Sequence, residues 1–121
     1  LLSGRMHADR EFPGDDLRNS DPKFQQPRFD QYLAAVNELE QFAQDNYGKH
    51  VLDLAIRWVL DQYPNSVALW GARKPEQLEA VDNVWGWQLD EAARQQIKEI
   101  VDRNVVDPVG PEFMAPPARE K

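Results

Sequence analysis

The chain has 121 residues, enough for one domain or part of one, with 41% apolar and 29% charged residues. Fourteen cations against 21 acidic residues leave a net charge of −7, which disfavours a general nucleic-acid binder because a phosphate backbone needs a cationic field. The absence of cysteine excludes disulfides, thiolate metal sites and cysteine nucleophiles. The two histidines, His7 and His50, stand far apart, and no apolar run of about 18 residues or signal peptide is visible, so a soluble cytoplasmic protein with no membrane partner is expected.

In chain order, Leu1 to Met6 (LLSGRM) begins apolar and breaks at Gly4. From residue 7 to residue 27, three prolines, a glycine and many charges predict a long surface loop. Phe29, Leu33, Val36, Leu39, Phe42 and Ala43 recur at helical spacing and predict a helix over 28–47, with Gly48 as its C-terminal cap. A second helix is expected over 51–62. Its apolar surface (Val51, Leu52, Leu54, Ala55, Trp58, Val59, Leu60) is broad enough to imply burial on more than one side, and Pro64 ends it. Residues 66–70 read as a buried strand and 75–84 as a short helix with proline in its favoured first position. Asp90 caps a last helix over 90–103, with Ala93, Ile97, Ile100 and Val101 on one face. The tail, 104–121, holds four prolines and should be extended and irregular.

The most informative stretch is Ser66 to Leu78. The apolar run Val67, Ala68, Leu69, Trp70 stops at Gly71; Arg73 and Lys74 follow; Pro75 and Glu76 then open a helix. A strand, a glycine turn, two cations and a helix start make a corner suited to an anion, with phosphate the natural guest. Cations at a helix start oppose its dipole, which favours an anion guest over plain solvated charge. Yet four helices and one strand do not close. A buried lone strand has no ladder partner, and each unpaired buried backbone group costs about 1–3 kcal/mol. The expectation is a chain that needs either further sequence or a second copy of itself.

These residues resemble the C-terminal part of the aldo-keto reductases. GARKPEQLE after a strand, then Gly86, Trp87, Leu89 and Asp90 opening a helix, resembles that family's ending. LLSGRM is similar to its stretch after the seventh barrel strand, FPGDDLR and the PKFQ region to the following loop, LAIRWVLDQ to the seventh barrel helix and SVALWGA to the eighth strand. The resemblance implies an α/β fold: the C-terminal third of a (β/α)8 TIM barrel, here mostly helical with one short strand over 66–70, which accounts for the unpaired strand. Residues 1–6 then belong to the strand 7 region and 104–121 to an extended tail.

The resemblance further implies an NADP cofactor and a small-molecule carbonyl substrate, an aldehyde or ketone, in the full protein. Gly71 lets the backbone approach, with Ala72 beside it. Arg73 and Lys74 hold the 2′-phosphate and Gln77 lies along the adenine or ribose. Arg5 reaches the cofactor phosphates, with Ser3 and Gly4 contributing hydroxyl or backbone contacts; Arg18 matches a second loop arginine. Where the family often has Glu-Asn against the adenine amine, this chain has Ala80 and Val81, so that contact is absent or moved to Asp82 or Asn83. The family's catalytic tyrosine, aspartate, lysine and histidine have no counterpart motif here, so no catalytic residue is named. Phe113 and Met114 fall where the family shapes its substrate pocket. Trp58, Trp70 and Trp85 are expected in the core. Asp15-Asp16 and Glu38-Glu40 do not converge on one helical face. Two other readings stay open: a non-enzymatic helical module that self-associates through the exposed strand, and a stand-alone nucleotide sensor.

Overall fold

The computed structural model describes residues 1–114, in which three α-helices carry the fold: α1 (Arg28–Tyr47), α2 (Val51–Leu60) and α3 (Glu91–Asn104). α1 covers the span expected of it. Its last turn closes on Gly48, at a left-handed φ of 62°, with the Gly48 N–H on the Gln44 carbonyl at 3.0 Å and the Lys49 N–H on that of Ala43 at 3.2 Å. The chain then turns directly into α2, whose start finds acidic partners. Val51 N–H donates to Glu40 Oε2 of α1 at 2.7 Å, and His50 N–H to Asp53 Oδ2 at 3.0 Å. α2 stops at Leu60, two residues early, where the Gln62 N–H turns to the Val59 carbonyl at 3.4 Å and its side-chain amide donates to the Trp58 carbonyl at 2.9 Å. α3 begins as expected, with Asp90 Oδ1 accepting the Ala93 N–H at 2.8 Å.

The three helices meet in one core. Val36, Leu39, Phe42 and Ala43 of α1 pack with Val51 and Leu54 of α2 and with Ala93, Ile97 and Ile100 of α3; Leu89 seals the end. Each large side chain so buried stabilises the fold by about 1.5–3 kcal/mol. A polar hub ties α2 to the segments that follow it. Arg57 and Asp61, with side chains only 11% and 10% exposed, form a two-pronged pair at 2.9 and 2.6 Å. Arg57 Nη1 also donates to the Val84 carbonyl at 3.0 Å. Asp61 Oδ2 accepts the Leu89 N–H at 2.8 Å, and Arg94 Nη1 donates to the Asp61 carbonyl at 2.8 Å.

Three expectations are corrected. Among the described residues there is no β-strand: 66–70 has no regular secondary structure, and no neighbour supplies a ladder. It keeps the two-residue alternation of a strand, with Val67 (77% exposed) and Leu69 (95%) bare and Ala68 and Trp70 half-buried. Leu1–Met6 likewise forms a turn, closed by Gly4 N–H on the Leu1 carbonyl at 3.3 Å, and not a strand end. The second face of α2 is not buried: Trp58 and Val59 are exposed, and so is Trp85, because no described element packs over them. Trp70 is half-buried. The short helix expected over 75–84 is present with those bounds, and it is a 3-10 helix throughout.

The loop and tail are more built than their composition suggests. Two short 3-10 turns, Leu17–Asn19 and Pro22–Phe24, are each capped by an aspartate: Asp16 accepts the Arg18 N–H at 3.0 Å and Asp21 the Lys23 N–H at 2.9 Å. Phe12, Phe24 and Phe29 stack in sequence, with ring centroids 5.2 and 5.5 Å apart. The tail is tied back to α1. Arg28 Nε donates to the Asp107 carbonyl at 2.8 Å, Val106 N–H to Gln31 Oε1 at 3.1 Å, and Val109 N–H to the Tyr32 hydroxyl at 3.0 Å. A last 3-10 turn spans Pro111–Met114, and the remainder of the expected extended tail, 115–121, lies outside the described residues.

Candidate functional site

Two stretches far apart in sequence, Ser3–Arg5 and Leu69–Asn83, come together beside Leu52 and Ile56 of α2. Between them lies a cavity of about 520 Å³. Ser3, Arg5, Leu69, Trp70 and Gly71 line it together with Leu52 and Ile56 of α2. Glu76, Gln77, Glu79, Ala80 and Asn83 of the 3-10 helix complete the wall. Of the residues expected to serve an anion, Ser3, Arg5, Gly71 and Gln77 are thus brought together. Gly4 lies behind them, where its φ of 71° excludes most side chains and a Cβ would stand 3.4 Å from Val51 Cγ1. This turn seats Ser3 and Arg5 against the start of α2. Ser3, Gly4 and Arg5 also border a second cavity, of about 470 Å³, with Asn37, Glu40, His50 and Asp53.

The corner itself differs from a simple helix N-terminus. Gln77 Oε1 accepts the Arg73 N–H at 2.6 Å and the Lys74 N–H at 3.2 Å, and Gln77 N–H returns to the Lys74 carbonyl at 3.1 Å. The amides at 73 and 74 therefore serve Gln77, and the corner's capacity for an anion rests on the side chains of Arg73 and Lys74. Both are exposed and neither side chain has a hydrogen-bond or ion-pair partner among the described residues. They sit, with exposed Ala72, in the segment between Gly71 and Gln77, both of which line the cavity. At Gly71 a Cβ would meet nothing within 4 Å. The fold alone does not require glycine there.

Arg18 is engaged elsewhere. It grips Asp16 through Nε at 2.9 Å and Nη2 at 2.6 Å and lies 4.2 Å from the Phe12 ring centroid. Hydrogen bonds from Arg18 hold the Asp16 carboxyl well below the usual carboxylate range, and the more distant Arg73 adds to the effect. Phe113 stacks under Lys23, 5.4 Å from its ammonium, and Met114 is exposed. Tyr47 packs on Trp87 at 4.8 Å, and burial, with Asp90 and Asp61 nearby, raises its hydroxyl above the usual value. Where α1 meets α2, burial pushes the Glu40 carboxyl up, but the Val51 N–H, His50 and Gln44 outweigh it and leave a net lowering. His50 Nδ1 stands 2.8 Å from Glu40 Oε1, and that contact raises the imidazole above its ordinary value.

Sequence reasoning missed Leu52, Ile56, Glu76 and Glu79 as cavity residues and left Asn83 open. The first two stand four apart on the face of α2 away from Val51 and Leu54, a signal that was available. No group of three or more metal-ligating residues occurs among the described residues, and no described helix is long and apolar enough to cross a membrane.

The sequence profile of the aldo/keto reductase family matches residues 1–102. The chain belongs to this family. It is 55% identical over 121 residues to the aldo-keto reductase YhdN of Bacillus subtilis (strain 168), a match covering 100% of this chain and 37% of that protein. Its fold is similar to the structure of the glycerol dehydrogenase AKR11B4 from Gluconobacter oxydans, with a TM-score of 0.82 and 50% identity, over 94% of this chain and 34% of that one. The chain thus spans just over a third of the length of these relatives. Its fold is that of a segment of the family's barrel, mostly helical.

Proposed function

We propose that this chain forms the NADP(H) adenosine-phosphate-binding portion of a cytoplasmic NADPH-dependent reductase of small aldehydes or ketones. The observation that carries the reading is the meeting of Ser3, Arg5, Gly71 and Gln77 around one cavity, with the unpartnered cations Arg73 and Lys74 in the segment that borders it. A dianionic 2′-phosphate suits that pair, because arginine offers a planar fork and lysine a compact charge. Gln77 fixes the backbone that presents them. Arg5, which lines the same cavity, is available to the phosphates that bridge the two nucleosides, and the open space at Gly71 leaves room for the ribose. The cofactor supplies the hydride; the residues of this chain hold its far end and so aim it. No residue here is assigned to proton transfer.

The test is Arg73→Ala with Lys74→Ala in the protein at its full natural length. Loss of charged hydrogen bonds should lower the preference for NADPH over NADH, in kcat/KM, by about 1–3 kcal/mol. An unchanged ratio would refute the assignment.

A second reading, a helical module that self-associates, is favoured by the bare Val67 and Leu69. Sedimentation distinguishes it: a monomer at all concentrations excludes assembly through 66–70.

A further inference from the structure

Among the described residues, one buried side-chain polar atom has no hydrogen-bond partner: Oδ1 of Asp53. Asp53 is 1% exposed, and its other oxygen, Oδ2, accepts the His50 N–H at 3.0 Å. A buried carboxylate oxygen left unpaired is costly, and a neutral donor would satisfy the atom while leaving the charge without a counter-ion. The donors that border the 470 Å³ cavity with Asp53 are Ser3, Arg5, Asn37 and His50. His50 is turned to Glu40, with Nδ1 at 2.8 Å from Oε1, and Ser3 and Asn37 are neutral. Arg5 is charged and exposed, and its side chain has no partner among the described residues. The 470 Å³ and 520 Å³ cavities adjoin along Ser3, Arg5, Leu52 and Ala80, so Arg5 borders both. The backbone beneath it is fixed, because Gly4 has a left-handed φ of 71° and a Cβ there would stand 3.4 Å from Val51 Cγ1. The choice between the two cavities falls to the Arg5 side chain.

We propose that Asp53 competes with the cofactor for Arg5. In one arrangement the guanidinium enters the smaller cavity and donates to Asp53 Oδ1; in the other it faces the larger cavity and the phosphates of the dinucleotide. This rests on the proposed NADP(H) function. Carboxylate and phosphate call on the same planar set of donors, so Arg5 cannot serve both fully at once. The ion pair would satisfy Oδ1 and withdraw a cation from the phosphate side. A ligand that needs the other arrangement then binds with an affinity reduced by the fraction of protein in which Arg5 is released. Asp53 is thus a positioning residue: it touches no cofactor, and it sets how readily Arg5 is given up to one.

The experiment is fluorescence titration of the full-length protein with NADPH. Asp53→Asn keeps an acceptor for the His50 N–H and removes the charge. It should bind NADPH about tenfold more tightly than the wild type, the reverse of what damage to the fold would do. In an Arg5→Ala background, which itself weakens NADPH, the same substitution should change the affinity by less than about twofold. Equal tightening in both backgrounds would trace the effect to a lost negative charge near the phosphates and overturn the role of Arg5. No tightening in either would overturn the competition. A second measurement needs neither an Asp53 variant nor a cofactor. Arg5→Ala should lower the urea midpoint of the cofactor-free protein, because it takes away the counter-ion of a buried carboxylate; replacing an exposed arginine that contacts nothing would leave it in place. An unchanged midpoint would overturn the Asp53–Arg5 contact while the proposed function stands. Failure of the wild type to bind NADPH saturably would overturn the proposed function and the competition with it, and the unfolding arm would still read the contact.

Discussion

Asp61→Ala should be the most damaging single change to the framework of the site. Asp61 is 10% exposed in its side chain and receives three donors: two from Arg57, at 2.9 and 2.6 Å, and the Leu89 N–H at 2.8 Å. Removing it leaves a guanidinium, 11% exposed, without its counter-ion, and strands a backbone N–H. Loss of one partner of a buried pair costs about 3–5 kcal/mol, and the exposed-pair value of 0–1 does not apply at this burial. The same guanidinium donates to the Val84 carbonyl, the last residue of the 3-10 helix, so its displacement should also loosen the helix that carries Gln77. Equilibrium urea unfolding of the full-length protein measures the first effect, and NADPH affinity the second. The double variant Arg57→Met with Asp61→Leu should cost less than the sum of the single changes, because no charge is left buried; the unpaired Leu89 N–H and Val84 carbonyl keep it above zero, at about 1–3 kcal/mol each. A loss below about 1 kcal/mol in Asp61→Ala would show that the hub is solvated and would refute this account.

Gly71→Ala should leave unfolding free energy within about 0.5 kcal/mol, since its Cβ meets nothing within 4 Å, yet weaken NADPH binding in the same titration. Gly4→Ala should behave oppositely, losing about 1–2 kcal/mol of stability to the left-handed φ of 71°, as thermal or chemical unfolding would read. Gln77→Leu frees the Arg73 and Lys74 N–H groups and should raise KM for NADPH more than it changes kcat. His50 and Glu40 give a pH signature. The raised imidazole stabilises fully below its unfolded value near 6.5, and that contribution fades as pH rises through the folded value. The lowered carboxyl stabilises above about 4.5, and its contribution fades as pH falls through its folded value. His50→Ala should remove the alkaline-side slope, by less than about 1 kcal/mol because the ring is mostly exposed.

What could be read in the sequence was what local chemistry decides. α1 follows from the spacing of Phe29 to Ala43 and the glycine at 48, and α3 from Asp90 and the stripe Ala93–Ile97–Ile100; each depends on neighbours a few residues away. Residues 66–70 failed as a strand for the opposite reason. Val67 and Leu69 have the side chains and alternation of one, but a strand is a property of two segments, and the second is not among the described residues.

The corner falls between these cases. Gly71, Arg73, Lys74 and Gln77 were legible as a group, but the glutamine's part was not. A side chain three residues from a helix start either faces a guest or closes the turn, and only the 2.6 Å approach of its oxygen to the Arg73 N–H decides that it closes the turn. The helical period was equally undecided. Nothing in PEQLEAVDNV distinguishes 3.0 from 3.6 residues per turn, and the structure takes the tighter period, with Gln77, Ala80 and Asn83 on the cavity wall and Val81 off it.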